Sequence, residues 1–304
     1  MAPPIPIPPD VRQWLTGTFK SCNERVAAKV TRIPTGHETS LDLTFIEHFS
    51  GFSLPFQFPS GWVVEINTHY LGGARHFAGW EIADIGLLVQ FRQSGRLVRS
   101  KIALLQSKRL YPDEQEWSED TPTDYEIGFA RLFQGDDEWA SITKPRLFSF
   151  TDVSSYKALI VADHQYAAIA GYESQFDIPV YYLLYHPWRI PSSTVVPVAG
   201  VVPLDGPCEV GCRVLPAQHM RAAMNGRPDG HKPGYAELRL LLAEPFTADE
   251  NQAGWRLEHF VVDLLLECET GHIAASPQDP GLERIFYRRG APIAAAIAIT
   301  IDAP

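Results

Sequence analysis

Ile82-Ala-Asp-Ile-Gly-Leu-Leu-Val-Gln-Phe91, then Arg92-Gln-Ser-Gly95, then Leu97-Val-Arg-Ser-Lys-Ile-Ala-Leu-Leu-Gln-Ser-Lys-Arg-Leu110 form two long apolar runs joined by a turn. Apolar runs flanking Ser-Gly signal a hairpin, so this stretch predicts two neighbouring antiparallel strands. Asp84 lies near the start of the first run, and Gln106 and Lys108 near the end of the second. Asp is depleted inside apolar strands, and an unpaired buried carboxylate is costly. Residues two apart share a face, which groups Asp84 with Gly86, Leu88 and Gln90, and Leu104 with Gln106 and Lys108. A Gln93-Ser94-Gly95 loop pairs Arg92 with Arg96 and sets Asp84 opposite Leu104. Gln106 is then its diagonal neighbour, at about 7–8 Å. A two-residue Ser-Gly loop shifts the register by one and turns Asp84 to the other face. Convergence therefore requires an odd-length loop or a bulge. A carboxylate and an amide oxygen can hold a divalent cation, and an adjacent lysine can orient a water.

Outward from the hairpin, Val11 to Arg32 and Glu38 to Phe49 carry apolar residues at helical spacing, and Gly61 to Asn67 reads as a strand. Residues 112–155 are acidic, aromatic and irregular. His164 to Phe176 reads as a helix, and Pro179-Val-Tyr-Tyr-Leu-Leu-Tyr185 as a buried strand. Pro191 to Gly211, rich in Pro, Val and Gly, has no clear periodicity. Pro216 to Met224 and Trp255 to Cys268 read as amphipathic helices, and Ala291 to Ile301 as a final strand. Strands alternating with helices predict an α/β fold with a central mixed sheet flanked by helices. The expected division is a flexible Pro-rich arm over 1–10, a core over 11–190, and a C-terminal elaboration or small accessory region over 191–304.

Composition limits the functional classes. The chain has 304 residues, 45% hydrophobic and 20% charged, as in a globular protein. No apolar run approaches the ~20 residues of a membrane span, and the proline-rich start lacks the features of a secretory signal. A cytoplasmic location is the expectation. Four scattered cysteines do not make a disulfide framework. Cys208-Glu-Val-Gly-Cys212 lacks the second ligand pair that a structural zinc needs, so free thiols packed as small hydrophobes are expected. His37, His69 and His76 have no paired metal spacing, and no nucleophile elbow, P-loop or dinucleotide fingerprint occurs. The net charge of −10 opposes polyanion binding. Residues 72–109 nevertheless carry Arg75, Arg92, Arg96, Arg99, Lys101, Lys108 and Arg109 against Glu81 and Asp84. That surplus fits a phosphate-binding patch, or equally the solvated face and blunted edge of a hairpin.

Asp84, a hairpin, then Gln106-Ser-Lys108 resembles the core of the PD-(D/E)xK nuclease superfamily, in particular its glutamine-variant branch of Mrr-type enzymes. Members carry a glutamate on the preceding helix, and Glu38 in His37-Glu-Thr-Ser-Leu-Asp-Leu matches that slot. Thr35-Gly-His-Glu38 also fits a capping box, which needs no chemistry. The resemblance covers about residues 36–110, loosely to 185; Ala83 stands where the family has proline. It implies a restriction-endonuclease-like core and Mg²⁺-dependent hydrolysis of phosphodiesters, with Mn²⁺ able to substitute. Asp84, Gln106 and Glu38 would hold one ion, and Lys108 would orient the attacking water. Glu65 and Glu81 are reserve acids. Arg109 and Arg75 would contact neighbouring phosphates. DNA is the expected partner, RNA staying open, with a homo-oligomer or a regulatory protein as further partners. An acidic exterior suits restraint of a harmful activity, such as an effector in defence against phage. The competing expectation is a catalytically silent nucleic-acid-binding or interaction module on the same fold.

Overall fold

The computed structural model describes residues 5–70, 77, 79–113, 146–196, 200–242, 254–274, 276, 279–283, 285 and 292–304. The first helix, α1 (Pro9–Arg32), starts on a proline, whose missing N–H costs nothing at a helix N-terminus. Pro9 and Asp10, which the composition assigns to a flexible arm, thus belong to the helix, and Ile7 before it is buried; residues 1–4 lie outside the described residues. Val11, Leu15, Phe19, Cys22, Val26 and Val30 form one buried stripe at spacings of three and four. Each such side chain contributes roughly 1.5–3 kcal/mol on burial. Helix α2 (Glu38–Ser50) buries Leu41, Phe45, Ile46 and Phe49, and the Phe19 and Phe49 rings meet at 4.8 Å.

Strands β1 (Phe56–Gln57) and β2 (Val63–Tyr70) follow, then β3 (Ala83–Gln93), β4 (Arg96–Arg109) and β5 (Arg146–Phe150). After helix α3 (His164–Phe176) come β6 (Val180–Tyr185), β7 (Arg189–Val196), β8 (Gly200–Glu209) and β9 (Arg213–Pro216). Helices α4 (Ala217–Ala223) and α5 (Tyr235–Leu242) precede β10 (Trp255–Arg256), β11 (His272–Ala274) and β12 (Ile293–Ala303). Among the described residues the main sheet runs β1-β2-β12-β3-β4-β6-β9-β10, with β11 against β4; β5, β7 and β8 make a second sheet. The fold is α/β with a mixed central sheet flanked by helices. Among the described residues no helix is long and apolar enough to cross a membrane.

Three placements go beyond what the periodicity gives. The expected final strand lies inside the sheet: β12 is parallel to β3 and antiparallel to β2, between them. Its Ile/Ala composition is that of a strand covered on both faces. The expected helix over Trp255 to Cys268 opens as β10 and becomes a π-helix over Phe260–Leu265, where the Leu266 N–H bonds to the carbonyl of Val261. The segment without clear periodicity forms the β7/β8 pair, with a register shift between Ile190 and Ser192 where Pro191 interrupts the ladder.

The hairpin corrects the register expected from sequence. Ser94 and Gly95 both have positive φ, 50° and 77°, as a two-residue turn of the primed type requires. Gln93 pairs with Arg96 and Arg92 with Leu97, yet Phe91 pairs with Arg99. The extra residue, Val98, is a bulge that restores the face a two-residue turn would have inverted. Ile85 then pairs with Leu105, and that register carries Asp84 directly opposite Gln106 rather than diagonal to it.

Candidate active site

The start of β3, the ends of β4 and β6 and the first turns of α2 and α3 meet at one end of the central strands of the main sheet. There Gln106, Ser107, Lys108 and Arg109 are all buried, at 3%, 1%, 5% and 0% exposure. Four consecutive buried polar residues exclude a solvated strand end and require partners.

Asp84 Oδ2 is the hub. It accepts from Gln106 Nε2 at 2.5 Å, from the Ser107 backbone N–H at 2.7 Å and lies 2.8 Å from Ser107 Oγ. No described residue donates to Asp84 Oδ1. The Gln106 amide therefore turns its nitrogen to Asp84, and its buried carbonyl oxygen has no partner among the described residues. The sequence reading has the Gln106 carbonyl oxygen turned towards a cation shared with Asp84; a half-turn of the amide separates the two arrangements. Lys108 Nζ donates to Gln165 Oε1 at 2.9 Å and stands 4.0 Å from Glu38 Oε2. Glu38 does not close a capping box: it is the first residue of α2, and its Oε1 accepts the Arg109 backbone N–H at 2.9 Å.

One acid was missed. Asp42, one helical turn after Glu38, accepts from Tyr185 OH at 2.7 Å, and its Oδ2 lies 3.1 Å from Ser107 Oγ. The Glu-x-x-x-Asp spacing in Glu38-Thr-Ser-Leu-Asp42 was the available signal, since residues four apart share a helix face. Gln165 and Tyr185 carried no signal; only tertiary structure brings them here.

The electrostatics follow from three half-buried acids beside one buried lysine. Burial raises the carboxyl pKa of Asp84, with Lys108 and the bonds from Ser107 and Gln106 pulling it back. Burial holds Asp42 well above the ordinary range, the Asp84 charge adding to the rise. Burial raises Glu38 as well, opposed first by Lys108. Such a cluster favours a cation, yet among the described residues no three His, Cys, Asp or Glu side chains stand arranged to hold one.

Other expected residues lie elsewhere. Arg109 is corrected from a phosphate contact to a structural residue: its guanidinium is fully buried, donates to the Pro34 and Leu110 carbonyls and sits 4.6 Å from the Tyr111 ring centre. Arg75 lies outside the described residues. Glu65, on β2, accepts from Asn67, and Glu81 offers its backbone carbonyl to Gln165 at 3.4 Å. The basic patch also dissolves, because Lys101, Lys108 and Arg109 are buried. Arg92, Arg96 and Arg99 cluster at the turn end of the hairpin, with Arg92 roughly 26 Å along the strand from Asp84 at ~3.3 Å per residue. Cys22, Cys212 and Cys268 are buried free thiols.

No family model matches the chain, and neither does any curated protein or solved structure.

Proposed function

We propose that the chain is a metal-dependent nuclease that hydrolyses phosphodiester bonds, with Mg²⁺ or Mn²⁺ as cofactor and DNA as the first substrate to test. One observation supports this reading: Asp84, Gln106, Lys108 and Glu38, singled out by sequence pattern, lie together at the strand ends, the two acids half-buried and the carbonyl oxygen of Gln106 without a partner among the described residues. The order α2-β2-β3-β4-α3-β6, with β6 parallel to β4, supports a restriction-endonuclease-like core in which β12 is an inserted strand.

The donor set suits a hard divalent cation, which prefers oxygen ligands and keeps several waters. Asp84 and Glu38 would supply carboxylate oxygens and Gln106 its carbonyl. When bound, the ion would act as a Lewis acid on phosphate oxygen and lower the pKa of bound water. Lys108 has three donors; Gln165 takes one, which fixes the ammonium while leaving it able to orient a water and offset charge on a pentacoordinate phosphorus. Gln165 is in turn tethered by the Glu81 carbonyl. A silent binding module is the weaker reading, since most of the basic residues that would supply its affinity are buried or far from the site.

Plasmid and linear DNA incubated with Mg²⁺, Mn²⁺ or EDTA, with Lys108→Ala and Asp84→Ala alongside, test the reading. Metal-dependent cleavage lost in both variants is expected. Cleavage retained by Lys108→Ala, or none by wild type on DNA or RNA with either metal, would refute it.

A further inference from the structure

Beside the acidic cluster the surface carries an exposed aromatic pair. Trp80 keeps 40% of its surface open, and its ring lies nearly parallel to that of His164, with centroids 6.1 Å apart and planes 19° apart. His164 is exposed as well. An exposed tryptophan needs no explanation by itself, but this one is held in place. Its backbone exchanges hydrogen bonds of 2.9 and 2.8 Å with Phe77, whose ring packs on Tyr172 and Phe176 of α3 at 5.3 and 5.6 Å. Its position relative to the chemistry is equally defined. Trp80 precedes Glu81 and His164 precedes Gln165, and it is the Glu81 carbonyl and the Gln165 amide that join next to Lys108.

We propose that Trp80, backed by His164, is a stacking platform for an unpaired nucleobase next to the scissile phosphate, so that the substrate is single-stranded nucleic acid or an unpaired end or flap. The proposal rests on the hydrolytic reading of the neighbouring site. Two observations favour an unpaired base over a duplex. A base inside a duplex has no free face to offer an exposed ring, whereas an unstacked base of any identity does. Duplex binding draws its affinity from phosphate contacts by Lys and Arg, and here Lys101, Lys108 and Arg109 are buried and the net charge is −10. Stacking supplies affinity that the buried Lys101, Lys108 and Arg109 do not.

The test uses the full chain and labelled oligothymidine, oligouridine and blunt duplex, with binding read by fluorescence anisotropy in EDTA and cutting read in Mn²⁺. Single strands should bind more tightly than duplex. Trp80→Ala should weaken single-strand binding roughly tenfold or more, while Trp80→Phe, which keeps a ring, should retain most of it. The preferred oligonucleotide distinguishes DNA from RNA. Equal single-strand binding by wild type and a folded Trp80→Ala protein overturns the platform, as does a wild-type preference for duplex. If duplex is cut equally by both proteins, hydrolysis stands and the platform falls. If single strands bind through Trp80 and neither metal supports cutting, the platform stands and hydrolysis falls.

Discussion

Asp42→Asn should stabilise the metal-free protein at about pH 8. Ser107 Oγ lies 2.8 Å from Asp84 Oδ2 and 3.1 Å from Asp42 Oδ2, but a hydroxyl has a single hydrogen. With both carboxyls ionised, one of these contacts sets oxygen against oxygen with no proton between. The two carboxylate oxygens are then no farther apart than 5.9 Å, the sum of those contacts. Two full charges at ~6 Å and an effective dielectric of ~20 repel by about 2.8 kcal/mol. Lys108 sits in the same field and reduces this, leaving an expected gain of about 1–2 kcal/mol. The amide of the variant removes the conflict: its N–H donates to Ser107, its oxygen accepts from Tyr185, and Ser107 donates to Asp84.

The sign of the pH dependence follows from the same contacts. Burial and the Asp84 charge hold the folded-state pKa of Asp42 well above its ordinary value, about 3.9 in an unfolded chain. The stability this group contributes is complete below that value and is lost as pH rises through the folded pKa. Relative to wild type, Asp42→Asn should therefore gain most at about pH 8, and the gain should shrink as pH falls. Urea unfolding in EDTA at a series of pH values measures this, and thermal unfolding should show a rise of a few degrees at the alkaline end. Subtracting wild type at each pH cancels contributions from groups common to both proteins. A variant less stable than wild type at about pH 8, or a difference that does not change with pH, would refute the reasoning.

Arg109→Ala should cost roughly 3–5 kcal/mol, because it strips the donors from the Pro34 and Leu110 carbonyls in a fully buried site; urea unfolding checks it. Gly271→Ala should destabilise by about 1–3 kcal/mol, since φ is +80° and a Cβ would stand 2.8 Å from the Ile102 carbonyl oxygen and 2.7 Å from Leu265. His186 is held between Tyr156 OH and the Gly211 carbonyl, and burial pushes its pKa down to about 3. Its imidazole resonances should keep the neutral form at about pH 5. The stability it contributes is present above the ordinary value of about 6.5 and is lost as pH falls towards 3, by about 1.4 kcal/mol per pH unit. Imidazole signals that titrate near pH 6.5 would contradict this.

The elements closest to the chemistry were legible because their signals are local. Alternation marked β3 and β4, the Ser-Gly turn joined them, and helical spacing marked α1, α2 and α3. Register was not legible, because one bulged residue, Val98, decides which face Asp84 takes, and nothing in Leu97-Val98-Arg99 announces a bulge. The place of β12 was hidden for a related reason. Ile and Ala on both faces say that a strand is covered, not which strands cover it.

Charge was the most misleading signal, since a count of Lys and Arg treats each as a surface cation. Lys101 spends its ammonium on the Leu265 and Thr270 carbonyls at the end of the π-helix, and Arg109 spends its guanidinium on Pro34 and Leu110. Both are committed to backbone oxygens inside the protein, where they can attract no phosphate. The acids err in the opposite direction. Glu38, Asp42 and Asp84 are three acids among thirty-six in the sequence, yet partial burial close together couples them to one another and to Lys108, whereas water screens exposed acids. A nuclease with this distribution would draw its substrate through an ion at the half-buried acids and an exposed ring rather than through a basic surface. Its binding should accordingly depend less on salt than that of a protein gripping several phosphates, whose affinity falls steeply as counterions are added.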